Sequence, residues 1–368
     1  MNNIRLSVII PCYNQAHFLE DAVKSVLVQE FTDWEIIIIN DGSTDSTKEI
    51  SEQLALKDNR IRVHLQTNQG LSSARNKGLS LAKGEVIHFM DADDKVLESG
   101  YKTVFNFFTN FSEIDIVVGG YSYFRDDEFL HTHGFSDQII SIEDLVRANL
   151  APPVSYFCRK VILDKIGGFD ESLKSCEDWD YWIRAGKAGA RIRTVADVLV
   201  GYRYVPNSMS RNAVQMYHAL KEVSFRAGIK DTKLDSELPF NKDYPIDVEG
   251  NLKYHLLRCL GVYLMQGKVS ESVNWFLEEK EKWNWKVQLE DFEGMNTNLS
   301  FRYFLNKSEI EQLINNTLPD FEHFFIDIGL NERDREKAVR IVFAPQLKKW
   351  NHFRYGKRIG AMINRLTF

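Results

Sequence analysis

Short, unbroken apolar runs alternate with segments of helical period over the first ninety residues. This restricts the fold more than any other feature of the 368-residue chain. "RLSVII" (5–10), "EIIII" (35–39) and "EVIHFM" (85–90) are β-branched and apolar, as strands are, and "RIRVHL" (60–65) alternates as a half-buried strand does. Between them, "HFLEDAVKSVLVQ" (17–29) places Phe18, Leu19, Ala22, Val23 and Val26 on one helical face. "STDSTKEISEQLAL" (43–56) has Ser46 and Glu49 at capping-box spacing, and "GLSSARNKGLSLAKG" (70–84) reads as a short helix. Strands that alternate with helices form a mainly parallel sheet covered on both faces. In such sheets ligands bind beyond the carboxyl ends of the strands.

Three of these strands end in polar clusters: "PCYN" after Ile10, "NDGS" after Ile39 and "DADD" after Met90. The second, alone, reads as a turn and helix cap. The third crowds Asp91, Asp93 and Asp94 into four positions behind a buried strand, where carboxylates repel one another. It reads either as an exposed acidic turn or as a site completed by a hard divalent cation, Mg²⁺ or Mn²⁺, together with phosphate oxygens. A second acidic group lies in "GGFDESLKSCEDWDYWIRAGKAG" (167–189), where Glu177 and Asp178 open a helix. Acids there complement the helix dipole, so capping and catalysis are both open readings. Trp179 and Trp182 on the same helix could stack on a sugar, but core packing is the expectation for at least one of them.

The stretches "SVIIPCYN", "EIIIINDGSTDST", "NQGLSSARNKGL", "HFMDADD", "GGFDESL" and "EDWDYWIRA" occur in the order and rough spacing of family 2 glycosyltransferases. The chain resembles that family over about residues 4–210. The resemblance implies the GT-A fold, a Rossmann-like, doubly wound, mainly parallel α/β sheet, and inverting transfer of a sugar from a nucleotide-diphosphate donor, most often UDP-linked. By the same resemblance, Pro11 and Tyr13 line the base pocket, and Asp41 accepts a hydrogen bond from the base. Asn68 and Arg75 flank the base and diphosphate, and Asp91, Ala92 and Asp93 form the D-x-D element. Asp93 is then the direct ligand of Mn²⁺ or Mg²⁺, with Asp91 beside it near ribose or water. Asp178 is the general base, with Glu177 and Trp179 on the sugar and acceptor side. A free aspartate has a pKa of about 3.9, so such a base would be ionised at neutral pH. Val205 stands in "YRYVPNSMS" (202–210) where relatives often carry histidine, so a third protein ligand is not expected there. "APPVSYFCRK" (151–160) falls where an acceptor loop would lie.

Beyond residue 210 helical segments dominate, at roughly 212–227, 250–266, 270–285, 307–317 and 333–343, with a loop over 235–247. The expected organisation is a nucleotide-sugar domain (1–210), a mostly helical region (211–346) and a basic amphipathic tail (347–368). That tail holds six Lys or Arg and no acid, interleaved with Trp350, Phe353, Ile359, Met362, Ile363 and Leu366. It reads either as a docked terminal helix or as a peripheral contact with an anionic membrane. The net charge of −6 gives no global case for nucleic-acid binding. The four cysteines lack CxxC spacing and read as reduced thiols. The start of the chain reads as a strand rather than a signal peptide, and no run approaches the roughly 20 apolar residues of a membrane span. The expectation is a cytoplasmic enzyme, at most peripheral at the inner face of the plasma membrane, acting on a glycan or lipid-linked acceptor, with the helical region as a candidate surface for self-association. Two other readings remain: a non-catalytic nucleotide-sugar-binding module, which would tolerate loss of Asp93 or Asp178, and a sugar nucleotidyltransferase. The latter usually carries a Gly-rich basic loop after its first strand, which "PCYNQAHF" lacks.

Overall fold

The structure, a computed structural model, describes residues 5–205, 212–300 and 305–367. The chain forms two compact units: Met1–Pro206 with Glu222–Ile246, and Asn207–Lys221 with Asp247–Phe368.

The first unit opens with β1 (Leu6–Cys12), α1 (Ala16–Leu27), β2 (Trp34–Asp41), α2 (Thr47–Lys57), β3 (Ile61–Gln66), α3 (Leu71–Leu81) and β4 (Val86–Phe89). β5 (Lys95–Val96), α4 (Gly100–Asn110), β6 (Ile116–Arg125), β7 (Glu128–His133), β8 (Gln138–Ile140) and α5 (Ile142–Arg147) follow. The unit continues with β9 (Tyr156–Arg159), α6 (Lys160–Ile166), α7 (Glu177–Lys187) and β10 (Ile192–Arg203). The strand order is β3-β2-β1-β4-β9-β6-β10-β5, with β7 beside β6 and β8 beside β10. β1–β2, β2–β3, β1–β4 and β6–β10 are parallel. β9 lies antiparallel between β4 and β6, so β6 and β10 run in the same direction as β1, β2 and β4. The carboxyl ends of these five strands therefore share one edge.

β1 and β2 are buried at every position, which explains their unbroken apolar sequences: both sheet faces are covered. Val8, Ile10, Ile36 and Ile38 pack with Leu19, Val23 and Val26 of α1 in the central core. α2 begins as expected but not by the expected cap. Ser46 makes no capping bond, because Asp45 takes the role: its Oδ1 accepts from the amide (3.0 Å) and hydroxyl (2.6 Å) of Thr47.

Helix α8 (Ala213–Gly228) has residues in both units, and the second unit also holds α9 (Val248–Leu264), α10 (Val269–Lys282), α11 (Glu293–Ser300), α12 (Lys307–Asp327) and α13 (Glu332–Thr367). Its core gathers Leu256, Leu260, Phe276, Phe292, Phe321, Phe324, Val342 and Phe343. α12 and α13 run through Pro319 and Pro345, beyond the segments 307–317 and 333–343 expected from the sequence. Phe321, Phe324 and Phe325, fully buried beyond Pro319, hold that continuation in place.

Candidate active site

The acidic turn after β4 is built from its own backbone. The Asp94 amide donates to the Asp91 carbonyl at 3.0 Å, and Ala92 is buried beneath the turn. Arg203, at the end of β10, clamps it. Its amide donates to Asp94 Oδ1 (2.9 Å) and its Nε to the Asp93 carbonyl (2.7 Å). The guanidinium lies near the rings of Phe18 and Phe124, 4.5 and 4.3 Å from their centroids. Asp94 Oδ2 is buried with no hydrogen-bond partner. Burial first, then Asp93 and Asp91, raise the Asp94 carboxyl well above the ordinary range. Burial and the neighbouring Asp91 charge push Asp93 up to about 6. Among the described residues no cation forms a salt bridge with Asp93.

Arg75 of α3 joins this turn to α7. Nη2 donates to Asp91 Oδ1 at 2.9 Å and Nη1 to Glu177 Oε1 at 2.6 Å, with the guanidinium 5.4 Å from the Phe169 ring centroid. The side chain is only 1% exposed. Burial disfavours its charge, but Asp91 and Glu177 more than offset this, and its pKa moves up. Arg75 is thus an internal tie, with both Nη groups committed to carboxylates.

Asp178, on the first turn of α7, keeps part of its surface in water. Its Oδ2 accepts from Asn149 Nδ2 at 2.8 Å. Burial and the Glu177 charge push its carboxyl up to about 6, while Asn149 and Arg75 pull the other way. The two expected neighbours on the sugar side face inward instead. Glu177 is taken by Arg75. Trp179 is buried, its indole N–H donating to the Leu145 carbonyl at 2.7 Å, because α7 must anchor its apolar stripe against α5. Trp182 is likewise core, stacked on Tyr156 with centroids 4.0 Å apart.

At the neighbouring strand ends, Pro11 is buried in β1 opposite Ile39, and Tyr13 just beyond it is 48% exposed. Asp41 closes β2. Its Oδ1 accepts from Gln66 Nε2 (2.8 Å) and the Gln69 amide (2.9 Å), and its Oδ2 from the Gly70 amide (2.8 Å). A carboxylate has about four acceptor directions, and these donors take three of them. Asn68 is exposed, and its backbone passes over Gly42.

Sequence reasoning missed three contributors. Asn149 and Arg203 lie 29 and 109 residues from the acids that they hold, beyond any local pattern. The third is an aromatic face where β6 and β10 reach the site edge. The Tyr123 and Tyr202 centroids lie 5.4 Å apart, Tyr121 and Tyr123 5.5 Å, and His133 of β7 stacks on Tyr121 at 5.1 Å. The alternating tyrosines of "GGYSYF" were its only local signal.

The pattern described as "Glycosyl transferase family 2" matches residues 7–163. TuaG of Bacillus subtilis, named a putative teichuronic acid biosynthesis glycosyltransferase, is 32% identical over 216 residues. The match covers 56% of this chain and 82% of that protein. The chain belongs to glycosyl transferase family 2. Among other family relatives, EpsJ of B. subtilis, an uncharacterized glycosyltransferase, is 31% identical over 219 residues, 56% of this chain. GlyG of Streptococcus pneumoniae, a glycosyltransferase, is 34% identical over 141 residues, 38% of this chain. The chain spans 62% and 46% of the lengths of these two relatives. The family fold is shared with the crystal structure of S. aureus TarS 1-349 in complex with UDP: TM-score 0.53, 18% identity, covering 96% of this chain and 92% of that one. The mannosyltransferase PcManGT of Pyrobaculum calidifontis, in complex with GDP-Man and Mn²⁺, gives a TM-score of 0.50 at 14% identity, covering 92% of this chain and 87% of that one. The doubly wound α/β architecture expected from the sequence is therefore the one found.

Proposed function

We propose that this family 2 member transfers a single sugar, with inversion, from a UDP-linked donor to a hydroxyl of a cell-surface glycan or its lipid-linked precursor. The observation that carries this reading is the Asp91–Arg75–Glu177 bridge. It fixes an acidic strand end against the first turn of the helix bearing Asp178, a partly open carboxylate. Supporting context comes from relatives: TarS has been crystallised with UDP and UDP-GlcNAc, and TuaG is named for teichuronic acid synthesis.

In this reading the nucleoside sits over the ends of β1 and β2, between Tyr13, Asn68 and the remaining acceptor direction of Asp41. The acidic turn fits a hard divalent cation. Asp93 forms no salt bridge among the described residues, although Arg203 favours its charge, Asp91 has one oxygen beyond its bond to Arg75, and their repulsion is relieved by further positive charge. No group of three or more His, Cys, Asp or Glu forms a metal cage among the described residues, so phosphate oxygens and water would complete the coordination. Bound there, Mn²⁺ or Mg²⁺ supplies Lewis-acid stabilisation of the departing diphosphate. Asp178 takes the proton of the acceptor hydroxyl as its oxygen bonds to the anomeric carbon and the bond to the diphosphate oxygen breaks. A positioned base of this kind contributes roughly 10²–10⁴-fold. The aromatic face of Tyr121, Tyr123 and Tyr202 stands beside this centre and suits the apolar side of an acceptor sugar.

The test is Asp178→Asn, assayed for transfer from a panel of UDP-sugars with Mn²⁺, alongside UDP affinity by calorimetry. The expected result is loss of transfer by at least about 10²-fold with near-normal UDP binding. Full turnover in this variant overturns the base assignment.

A further inference from the structure

The end of the second unit carries a feature that the proposed reaction does not use. α13 is not straight. At Gly356 the backbone takes φ 76° and ψ 162°, and residues 357–367 turn back on the helix that precedes them. The two arms are pinned together. Asn351 Nδ2 donates to Asn364 Oδ1 (2.9 Å), and Asn364 Nδ2 donates to the Lys348 carbonyl (3.1 Å). Gly360 lets the backbones touch: a Cβ there would lie 2.7 Å from both the Asn351 carbonyl oxygen and the His352 Cα.

This hairpin decides which way the tail faces. Gly360 and Asn364 point inward. Ile359, Met362 and Leu366, at i, i+3 and i+7, form the outward stripe of the second arm, with Phe353 and Tyr355 on the first. These five side chains are between 40% (Tyr355) and 82% (Leu366) exposed. Around them stand Lys348, Lys349, Arg354, Lys357, Arg358 and Arg365, with no acid anywhere in 347–368.

We propose that this helical hairpin is a docking surface for an anionic lipid bilayer. The charge selects the occupant. A second copy of the chain would bring six like charges against six more, so self-association through this face is opposed. A soluble polyanion would satisfy the cations but leave the apolar stripe in water. An uncharged lipid surface would accept the stripe but not the cations. Only an anionic membrane satisfies both, with Ile359, Met362 and Leu366 in the acyl boundary and the basic side chains among the headgroups. Among the described residues no helix is long and apolar enough to cross a membrane, so the hairpin lies in the interface. The inference stands on the tail alone and is independent of the catalytic reading.

The test is flotation of the full chain with vesicles of phosphatidylcholine alone or mixed with phosphatidylglycerol. The expected result is binding to the mixed vesicles only, weakening as salt rises. The triple variant Ile359→Ser, Met362→Ser, Leu366→Ser and the triple variant Lys357→Glu, Arg358→Glu, Arg365→Glu should each lose at least about tenfold in affinity. Light scattering should show the same oligomeric state for all three proteins. Absence of binding by the unmodified chain, binding insensitive to salt and lipid charge, or affinity unchanged in both variants overturns the proposal. So does self-association that the serine variant abolishes. If circular dichroism shows that a variant has lost its fold, the lipid and salt dependence of the unmodified chain decides the matter.

Discussion

The side-chain amide of Asn149 donates to Oδ2 of Asp178 at 2.8 Å, and among the described residues it is the hydrogen bond given to this carboxylate by another side chain. It stabilises the ionised form and so opposes burial and Glu177, which together push the Asp178 carboxyl up to about 6. A base must be ionised to work, so kcat/KM should rise with pH through an acid limb near 6. In Asn149→Ala one stabiliser of the anion is gone. The limb should move to higher pH, while activity well above the limb recovers toward the unmodified level. A pH–rate profile reads this directly. An unmoved limb with a uniformly lower plateau would show that Asn149 matters only for packing.

Asp93 and Asp94 make the acidic turn a pH-dependent weak point. Both carboxyls are raised in the folded protein, Asp93 to about 6. A raised carboxylate binds its proton more tightly when folded than when unfolded. The stability it lends is therefore complete below the unfolded value near 4 and is lost as pH rises through about 6. A divalent cation competes with those protons. The increase in Tm caused by Mn²⁺ should be small at pH 5 and grow above pH 6. Asp93→Asn should raise the metal-free Tm at pH 7.5 and blunt the response to Mn²⁺. Thermal shifts at the two pH values check both, and an equal metal effect at both would contradict the site.

Arg75 offers a stability prediction. Removing one partner of a buried ion pair costs about 3–5 kcal/mol, because the surviving charges stay desolvated. Arg75→Met leaves both Asp91 and Glu177 without their guanidinium, so urea unfolding should show a loss in that range. Arg75→Lys should recover little of it, since one ammonium cannot reproduce two diverging Nη bonds. A loss under about 1 kcal/mol would mean that the bridge is not formed in solution.

Much of the fold was legible because its determinants are local. The unbroken isoleucines of β2 state that both faces are buried, and the acids after Met90 sit where a parallel sheet gathers ligands. What was hidden depends on distance or context. β9 enters antiparallel between β4 and β6, which no periodicity in "YFCR" announces. The helical segments expected at 307–317 and 333–343 continue through Pro319 to Asp327 and through Pro345 to Thr367, an extension that the local pattern did not show. In the site, Asp91, Asp93 and Asp178 were legible as acids at element ends. The burial of Arg75 and the hydrogen-bond partner of Trp179 were not. Arg75 meets Glu177 across 102 residues, and Trp179 finds a carbonyl on α5. An arginine on a short polar helix looks alike in sequence whether it faces water or two carboxylates.

Gly42 supplies the last prediction, because it couples backbone geometry to the nucleotide end of the site. Its φ is +73°, and a Cβ there would lie 2.6 Å from the Asn68 amide nitrogen. Alanine thus meets both a strained backbone and a backbone neighbour that cannot rotate away. The segment that must yield carries the Gln69 and Gly70 amides, which hold Asp41 at 2.9 and 2.8 Å. Gly42→Ala should cost about 1–3 kcal/mol of stability. If Asp41 faces the base, it should also weaken UDP binding more than it slows turnover of bound donor. Calorimetric UDP affinity, urea unfolding and a kcat measured at saturating donor separate these effects. A variant with normal stability would show that the 67–70 segment yields freely. Normal UDP affinity in a destabilised variant would detach Asp41 from nucleotide recognition.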